Sequence, residues 1–343
     1  MPYAYISGTG LSIPPRRVTN QDLVDVYGIE TSHEWIVQRT GIESRHFSAE
    51  GVGTAELAEP AARAALERAG LRATDLDMIV FATLSPDYAF PGSGVLLQRR
   101  LGVAEADTPK FVPALDIRNQ CSGFLYGLQT ATAMVKSGAA RHVLVVGAET
   151  HSAALDLTTR GRTVSSLFGD AAGAVIVSAT DEDRGVRRIV LGADGRHAEV
   201  LCQKVWDIKR RPFIPVDADG RGTVEPEMLW AHMDGRKVFK NAVMMMVGSL
   251  MQVCAEEQVE FDDIDLFFFH QANMRINQYV AEQLGLPPEK VPHNIQRYGN
   301  TTAATIPTLL AEAVESGALT PGKKVALVAF GSGFTWGAAL VDW

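Results

Sequence analysis

Short apolar runs alternate with longer segments of helical periodicity along most of the chain. The runs at residues 78–83, 143–147 and 266–269 predict buried strands, because strands covered on both faces are apolar throughout. Apolar residues recur at helical spacing in residues 54–69 and 238–255, which predicts two long helices. Strands that alternate with helices are typical of an α/β fold.

An internal repeat relates the two halves of the chain. The tetrapeptide Lys136–Ala139 returns as Glu315–Ala318, and each copy precedes an apolar strand. Chance matching of short glycine-containing peptides is the competing explanation, but the matched strands and helices follow in the same order. We therefore predict a duplicated α/β arrangement with halves at residues 1–180 and 187–343.

Cys121 lies between a predicted strand at residues 111–117 and a helical pattern that begins at Phe124. A thiol in the first turn of a helix is close to the positive end of the helix dipole and to unpaired backbone N–H groups. Both favour the thiolate, which is the reactive form of cysteine. Most free cysteines are small buried hydrophobic residues, and Cys202 and Cys254 fit that description. We predict that Cys121 is a nucleophile.

Two further polar residues are predicted to lie near this cysteine. The offset that aligns the repeated tetrapeptides also places Asn300 at the position equivalent to Cys121. His270 follows the apolar strand at residues 266–269, at the edge where open α/β sheets place ligand sites. The turn Gly331–Thr335 follows another strand, and such glycine-rich turns can direct backbone N–H groups at a developing oxyanion.

The chain resembles the β-ketoacyl-acyl carrier protein synthase III family of the thiolase-like superfamily. The resemblance runs from Tyr5 to Leu340, nearly the whole chain. It is carried by the segments 34–42, 118–124, 167–170, 270–273 and 299–301. It implies a five-layer αβαβα arrangement with two mixed sheets and a C2 homodimer.

The resemblance implies a decarboxylative Claisen condensation that initiates fatty-acid or polyketide synthesis. Cys121 would accept an acyl group from an acyl-CoA primer, while the backbone N–H groups of Cys121 and Ser332 stabilise the oxyanion. His270 and Asn300 would then stabilise the enolate that malonyl-acyl carrier protein forms on losing CO2. No metal or redox cofactor is expected. The family commonly has glycine at the Ser332 position, and serine tolerates a positive φ poorly.

Coenzyme A binding is also implied by resemblance. Trp35 would stack on the adenine with Arg39 beside it, and Asn273 would contact the substrate arm. A further family arginine contacts the nucleotide, and this chain offers both Arg160 and Arg162 at that place, of which we favour Arg162.

Acyl-chain choice depends in this family on a loop of the partner subunit, here residues 85–92. Phe90 matches a bulky residue that limits chain length in short-primer enzymes. The alternative is that Phe90 packs only within its own subunit. Residues 108–110 lengthen the following segment, so medium chains are also compatible. Relatives that join two long acyl chains use a glutamate in this loop, whereas Asp87 is the only nearby acid here.

Carrier-protein docking requires a basic surface, because acyl carrier proteins are acidic. The predicted docking residues are Gln271, Ala272, Asn273, Met274, Arg275 and Lys240. Where some relatives have paired lysines, this chain has Glu282 and Gln283. The basic run 209–211 could compensate, and free coenzyme A thioesters or a specialised carrier stay open as partners.

Composition narrows the alternatives. The chain has 343 residues, 46% of them hydrophobic, and a formal net charge of −8, which disfavours binding to nucleic acid. Three cysteines argue against a disulfide framework, and the absence of a signal-like N-terminus or a long apolar run predicts a cytoplasmic protein without a membrane span. Two other functions stay open: an alkylquinolone- or ester-forming acyltransferase that uses the same cysteine, and a catalytically silent partner subunit.

Overall fold

The structure is a computed structural model, and it describes residues 2–343. Its strands are β1 Tyr3–Ser12, β2 Arg16–Thr19, β3 Ser44–Phe47, β4 Met78–Ala82, β5 Ala114–Ile117, β6 His142–Glu149, β7 Ala171–Thr180, β8 Gly185–Ala193, β9 Leu201–Cys202, β10 His232–Met233, β11 Leu266–Phe269, β12 Lys324–Gly331 and β13 Thr335–Asp342. Its helices are α1 Asn20–Asp25, α2 His33–Thr40, α3 Thr54–Ala69, α4 Ser93–Arg100, α5 Gly123–Lys136, α6 Arg162–Ser165, α7 Pro226–Leu229, α8 Gly235–Glu257, α9 Met274–Gln283, α10 Ile295–Tyr298 and α11 Thr305–Glu315.

Two mixed sheets form the frame of the molecule. The first has the strand order β1-β7-β6-β4-β5, and the second has the order β8-β13-β12-β11. In the first sheet, β7 pairs antiparallel with both β1 and β6, and β6 pairs parallel with β4. In the second sheet, β13 pairs antiparallel with both β8 and β12, and β12 pairs parallel with β11. The second sheet therefore repeats the order of the first, except that β5 has no counterpart.

Five layers follow from where the apolar side chains point. Helices α5 and α11 lie between the sheets, and their side chains form one core with residues from both sheets, such as Val80 of β4 and Leu327 of β12. The alternate residues of the strands point outward. On one side Phe81 packs on α3 and α4, and on the other Phe267 packs on α8 and α9.

Most predicted elements occur, with shifted ends. Helix α3 spans Thr54–Ala69 as predicted, whereas α8 is longer than its apolar pattern and begins at Gly235. The strand predicted from Phe111 is shorter, because β5 begins at Ala114 after a proline that has no N–H to donate. Strand β8 begins at Gly185, two residues before the predicted second half. No observation tests the division of the chain into two halves, which stays a prediction.

Helix α8 is the one helix among the described residues that is long and apolar enough to cross a membrane by length and composition alone. Core helices of folded domains pass the same test. Here Leu250 and Val253 of α8 are buried against the second sheet. The helix is thus accounted for as part of an outer layer of the fold.

Candidate active site

Cys121 lies in a tight turn, Gln120–Ser122, that leads directly into helix α5. The preceding residue, Gln120, has a φ of 40°, a left-handed conformation that is uncommon outside glycine. The cysteine is 8% exposed. The end of β12 passes so close that a Cβ added to Gly331 would be 2.8 Å from the Cβ of Cys121. The last residue of β12 therefore has to lack a side chain.

The thiol is more basic in the resting structure than its position suggested. Burial, together with the Glu149 carboxylate, raises the pKa of Cys121 to about 12. The backbone N–H groups of Cys121 and Ser332 both face the sulfur and lower this pKa, but by less. The two amide donors thus favour the thiolate, as the start of the helix predicted, but in the unliganded site the loss of water outweighs them.

The loop after β12 holds Ser332 against the cysteine turn. The hydroxyl of Thr335 donates to the carbonyl of Ser332 at 3.0 Å and lies 2.8 Å from the hydroxyl of Ser122. Gly333 takes the positive φ of this loop, 131°, and Ser332 does not. Serine at position 332 is therefore compatible with the turn, and its N–H is as available as that of glycine.

His270 follows β11 and is buried. Its backbone N–H donates to the carbonyl of Val328 at 2.8 Å, and its ring Nδ1 is 2.7 Å from the hydroxyl of Thr305. The ring Nε2 is buried and has no hydrogen-bond partner in residues 2–343. Burial lowers the pKa of His270 to about 3, so the ring is neutral at physiological pH.

Asn300 is fixed by its backbone and by its side chain. Its N–H donates to the carbonyl of Leu167 at 2.8 Å, and its carbonyl accepts from the N–H of Gly169 at 3.1 Å. The N–H of Thr302 donates to Oδ1 of Asn300 at 2.9 Å, which identifies that atom as the oxygen. The side-chain NH2 group is consequently the end that can donate to a ligand.

The three predicted catalytic residues lie on neighbouring elements. The cysteine turn packs against the turn Thr302–Ala304: a Cβ added to Gly123 would be 3.6 Å from the Cβ of Ala303. Asn300 lies two residues before that turn, and His270 contacts Thr305 directly after it. The structure thus brings the regions of Cys121, His270 and Asn300 together.

Glu149 is a residue that sequence reasoning missed. It ends β6 fully buried and accepts hydrogen bonds from the Ser85 hydroxyl at 2.7 Å and from the Leu84 N–H at 3.1 Å. Burial raises its pKa to about 7 despite these donors. The sequence did contain a signal for Glu149, because a charged residue there ends an apolar strand at the sheet edge that carries Cys121.

The predicted nucleotide-binding residues form a stack on helix α2 and its neighbour α6. The guanidinium of Arg39 lies 4.4 Å from the centroid of the Trp35 ring, and that of Arg162 lies 5.6 Å from it. Arg160 points elsewhere and pairs with Asp156, with Nε and Oδ2 separated by 2.6 Å. Of the two candidate arginines, Arg162 is therefore the one that lies at the indole.

The start of helix α9 joins this stack to the histidine. Asn273 caps α9 by accepting from the N–H of Arg275 at 2.9 Å, and its amide donates to the carbonyl of Arg39 at 3.0 Å. Met274 packs so closely on Gly41 that a Cβ there would be 2.5 Å from the methionine Cβ. The Asn273 side chain is thus engaged by the protein itself.

The predicted docking residues divide into exposed and buried members. Arg275 and Lys240 are exposed on α9 and α8, and Ala272 is partly exposed. Gln271 is 0% exposed, donates to the carbonyl of Phe269 at 2.7 Å and accepts from the N–H of Asn294. Its prediction as a surface docking residue is therefore wrong, because its amide satisfies buried backbone groups. The basic run 209–211 is exposed.

Phe90 is 86% exposed, so the alternative in which it packs within its own subunit does not hold. Asp87, by contrast, is tied to the fold. Its carboxylate accepts from the N–H of Ala55 at 3.1 Å, at the start of α3, and from the Ser93 hydroxyl at 2.7 Å. The loop is therefore anchored at its base by Asp87 and presents Phe90 outward.

Family models match both parts of the chain. Residues 115–195 match the model for 3-oxoacyl-[acyl-carrier-protein] synthase III, and residues 254–343 match the model for its C-terminal part. The first match contains Cys121, and the second contains His270 and Asn300. The models thus cover the turns that build the site.

Solved structures agree along the whole chain. The chain is 39% identical to the β-ketoacyl-[acyl carrier protein] synthase III from Thermus thermophilus, with a TM-score of 0.87 and 99% of each chain covered. It is 38% identical to the 3-oxoacyl-[acyl-carrier-protein] synthase III from Aquifex aeolicus VF5, with a TM-score of 0.86, and the match covers 99% of this chain and 100% of that one. The priming β-ketosynthase from the R1128 polyketide pathway is 30% identical, with a TM-score of 0.86, and 99% of this chain and 96% of that one are covered. A shared fold, family models on both halves and identity at this level over the full length lead to one conclusion: the chain belongs to the 3-oxoacyl-[acyl-carrier-protein] synthase III family of thiolase-fold condensing enzymes, and it is an acyltransferase.

Proposed function

We propose that the protein condenses an acyl-CoA primer with malonyl-acyl carrier protein through an acyl intermediate on Cys121, and so initiates fatty-acid synthesis. The observation that supports this most directly is the pair of unused hydrogen-bonding groups on His270 and Asn300. The first is a buried Nε2 without a partner in the described chain, and the second is an amide whose oxygen is already engaged. An enolate oxygen needs two such donors.

The first half of the reaction transfers the acyl group to Cys121. The sulfur attacks the thioester carbonyl, and the departing coenzyme A sulfur leaves with the thiol proton. The oxyanion formed on the way would accept from the N–H groups of Cys121 and Ser332, which already face this sulfur. Because burial raises the pKa of the thiol, we propose that its proton is lost as the carbon-sulfur bond forms.

The second half forms the carbon-carbon bond. Malonyl thioester loses CO2, and the electrons of the broken bond pass into a thioester enolate. His270 and Asn300 would hydrogen-bond its oxygen, while its carbon attacks the acyl-Cys121 carbonyl and expels the Cys121 sulfur. The product is a β-ketoacyl thioester. None of these steps calls for a metal or redox group, and we propose that the enzyme works without a cofactor.

Trp35, Arg39 and Arg162 are proposed to bind the nucleotide end of coenzyme A. A flat apolar ring flanked by two guanidinium groups suits an adenine with phosphates beside it, because the ring stacks and the cations pair with the anions. Asn273, which caps α9, is proposed to contact the substrate arm. It would do so through the part of its side-chain amide that is not hydrogen-bonded to the Arg39 carbonyl or the Arg275 N–H.

The carrier protein is proposed to dock beside Arg275 and Lys240. Both are exposed on adjacent helices, and a basic surface suits an acidic carrier. Ala272, Asn273 and Met274 would border the contact, and Gln271 would not take part. The basic run 209–211 could extend the same surface.

A homodimer is proposed from the free edge of the first sheet. β5 is the last strand of that sheet, and an uncovered edge strand is open to pairing with a second copy. Large apolar side chains are exposed on β5 and on the segments around it: Tyr88, Phe90, Val95, Phe111 and Leu115. Contiguous exposed apolar residues mark an interaction surface. Phe90 would then reach the acyl pocket of the partner, as the resemblance implies, and the complex would be cytoplasmic.

Intact-protein mass spectrometry tests the proposal. Acyl-CoA thioesters of graded length are added first, and malonyl-acyl carrier protein second. We expect a mass gain on the wild-type protein that disappears on the second addition, no gain for Cys121→Ala, and a persistent gain for His270→Ala and Asn300→Ala. A wild-type acyl adduct that survives malonyl addition would instead indicate another acceptor. No adduct with any chain would indicate a silent subunit.

A further inference from the structure

Within residues 2–343, the hydroxyl of Thr305 is the one hydrogen-bonding partner of Nδ1 of His270, at 2.7 Å. Thr305 begins helix α11, the layer between the two sheets, and both side chains are buried. The contact lies on the far side of the imidazole from Nε2. It has no part in the roles assigned so far to Cys121, His270 and Asn300.

The protons at this contact can be counted. Because burial keeps the ring of His270 neutral, its two nitrogens share one proton. If Nδ1 carries that proton, Nε2 is an acceptor only and cannot donate to an enolate. If Nε2 carries it, Nδ1 is a buried acceptor that needs a donor.

Thr305 has one hydroxyl proton and two acceptors within reach. One is Nδ1 of His270 at 2.7 Å, and the other is the carbonyl of Thr302 at 2.9 Å. That carbonyl already accepts from the backbone N–H of Thr305 at the end of the Thr302–Ala304 turn. Nδ1 has no other donor in the described chain, so the imidazole is the acceptor that would otherwise be unsatisfied.

We propose that Thr305 is a positioning residue that donates its hydroxyl proton to Nδ1 of His270 and thereby keeps the ring proton on Nε2, where decarboxylation requires a donor. This inference rests on the enolate-stabilising role proposed for His270. It adds that the tautomer is set from helix α11, by a residue that never touches the substrate. No proton is transferred between Thr305 and His270, so the hydroxyl acts only by fixing the tautomer.

The test compares three substitutions. Thr305→Val keeps the shape of the side chain and removes the donor, while Thr305→Ser keeps the donor. Thr308→Val is the matched control, because Thr308 is equally buried one turn along α11 and its hydroxyl bonds only to the backbone carbonyls of Ala304 and Thr305. The readouts are acyl transfer to Cys121 by mass spectrometry, release of CO2 from malonyl-acyl carrier protein, and 15N NMR of the histidine ring.

For Thr305→Val we expect acylation within about twofold of wild type and decarboxylation reduced roughly 10- to 100-fold, the effect of leaving one buried polar atom unpaired. Thr305→Ser should restore most of the rate, and Thr308→Val should change neither step. The NMR spectrum of the wild type should show the proton of His270 on Nε2, assigned against His270→Asn.

Three results would overturn the inference. They are a wild-type ring with its proton on Nδ1, normal decarboxylation in Thr305→Val, and an equal loss in Thr308→Val, which would point to helix packing instead. A wild-type protein that is acylated but releases no CO2 would contradict the proposed function itself. That result can be distinguished from failure of the inference about Thr305, because it is observed in the wild-type protein before any substitution is made.

Discussion

Replacing Gly331 with alanine should damage acylation more than it damages the fold. The added methyl group would be 2.8 Å from the Cβ of Cys121, 3.1 Å from its backbone nitrogen and 3.3 Å from its Cα. None of these atoms is the end of a flexible side chain, so the strand end and the cysteine turn have to separate.

The size of that separation follows from the contact distances. Carbon atoms in contact are about 3.5–4.0 Å apart, so the gap has to open by roughly 1 Å. The movement carries the Ser332 N–H, one residue further on, away from the Cys121 N–H. A displacement of about 1 Å can lower a rate by about 10²-fold, and loss of one oxyanion donor lowers it by about 10²–10³-fold. We expect acylation at least about 100-fold slower, with overpacking destabilising the fold by about 1–3 kcal/mol.

The assay is the rate of mass gain on Cys121 with a short acyl-CoA, measured well below the melting temperature of each variant. Gly248→Ala is the control, because a Cβ at Gly248 meets no atom within 4 Å and the residue lies in the exposed part of α8. It should acylate at the wild-type rate. A folded Gly331→Ala protein that acylates within about threefold of wild type would refute the argument that these two N–H groups act together.

Three more predictions concern the surroundings of the site. Burial raises the pKa of Glu149 from 4.5 to about 7, so between these pH values the folded protein holds a proton that the unfolded chain releases. The free energy of unfolding should therefore fall by about 3 kcal/mol as pH rises through this range. Glu149→Gln should remove this pH dependence, measured by urea titrations at several pH values. Trp35→Ala should raise the KM for acyl-CoA roughly 10-fold through lost stacking and leave the KM for acyl-pantetheine unchanged; equal rises for both substrates would refute nucleotide binding at Trp35. Phe90→Asp should weaken the proposed dimer in analytical ultracentrifugation, and an unchanged sedimentation profile would contradict a role of Phe90 in its interface.

The turns that carry the chemistry could be predicted because their signals are local. An apolar strand, a glycine-rich junction and a helical period follow one another around Cys121, and the repeat placed Asn300 at the matching junction. The structure keeps that correspondence: Gln120 and Gly299, the residues before Cys121 and Asn300, both have positive φ, 40° and 66°. Local order and repetition were sufficient for the positions of these residues.

Their chemical states could not be predicted in the same way. The pKa of Cys121 depends on its burial in the folded protein and on Glu149, and neither is visible in the segment around the cysteine. Gln271 was predicted as a docking residue together with its sequence neighbours, but its amide is hydrogen-bonded to backbone groups of Phe269 and Asn294. Such effects come from contacts distant in sequence, which a periodic pattern does not contain.

The middle layer of the fold has a consequence for how the protein can change over evolution. Helices α5 and α11 share one apolar core with both sheets, so a substitution at Leu128 or Leu310 has to suit two surfaces at once. The outer helices α3 and α8 each face a single sheet and can adapt separately. Descendants of this chain should therefore diverge fastest in the outer layers and slowest in the layer between the two sheets.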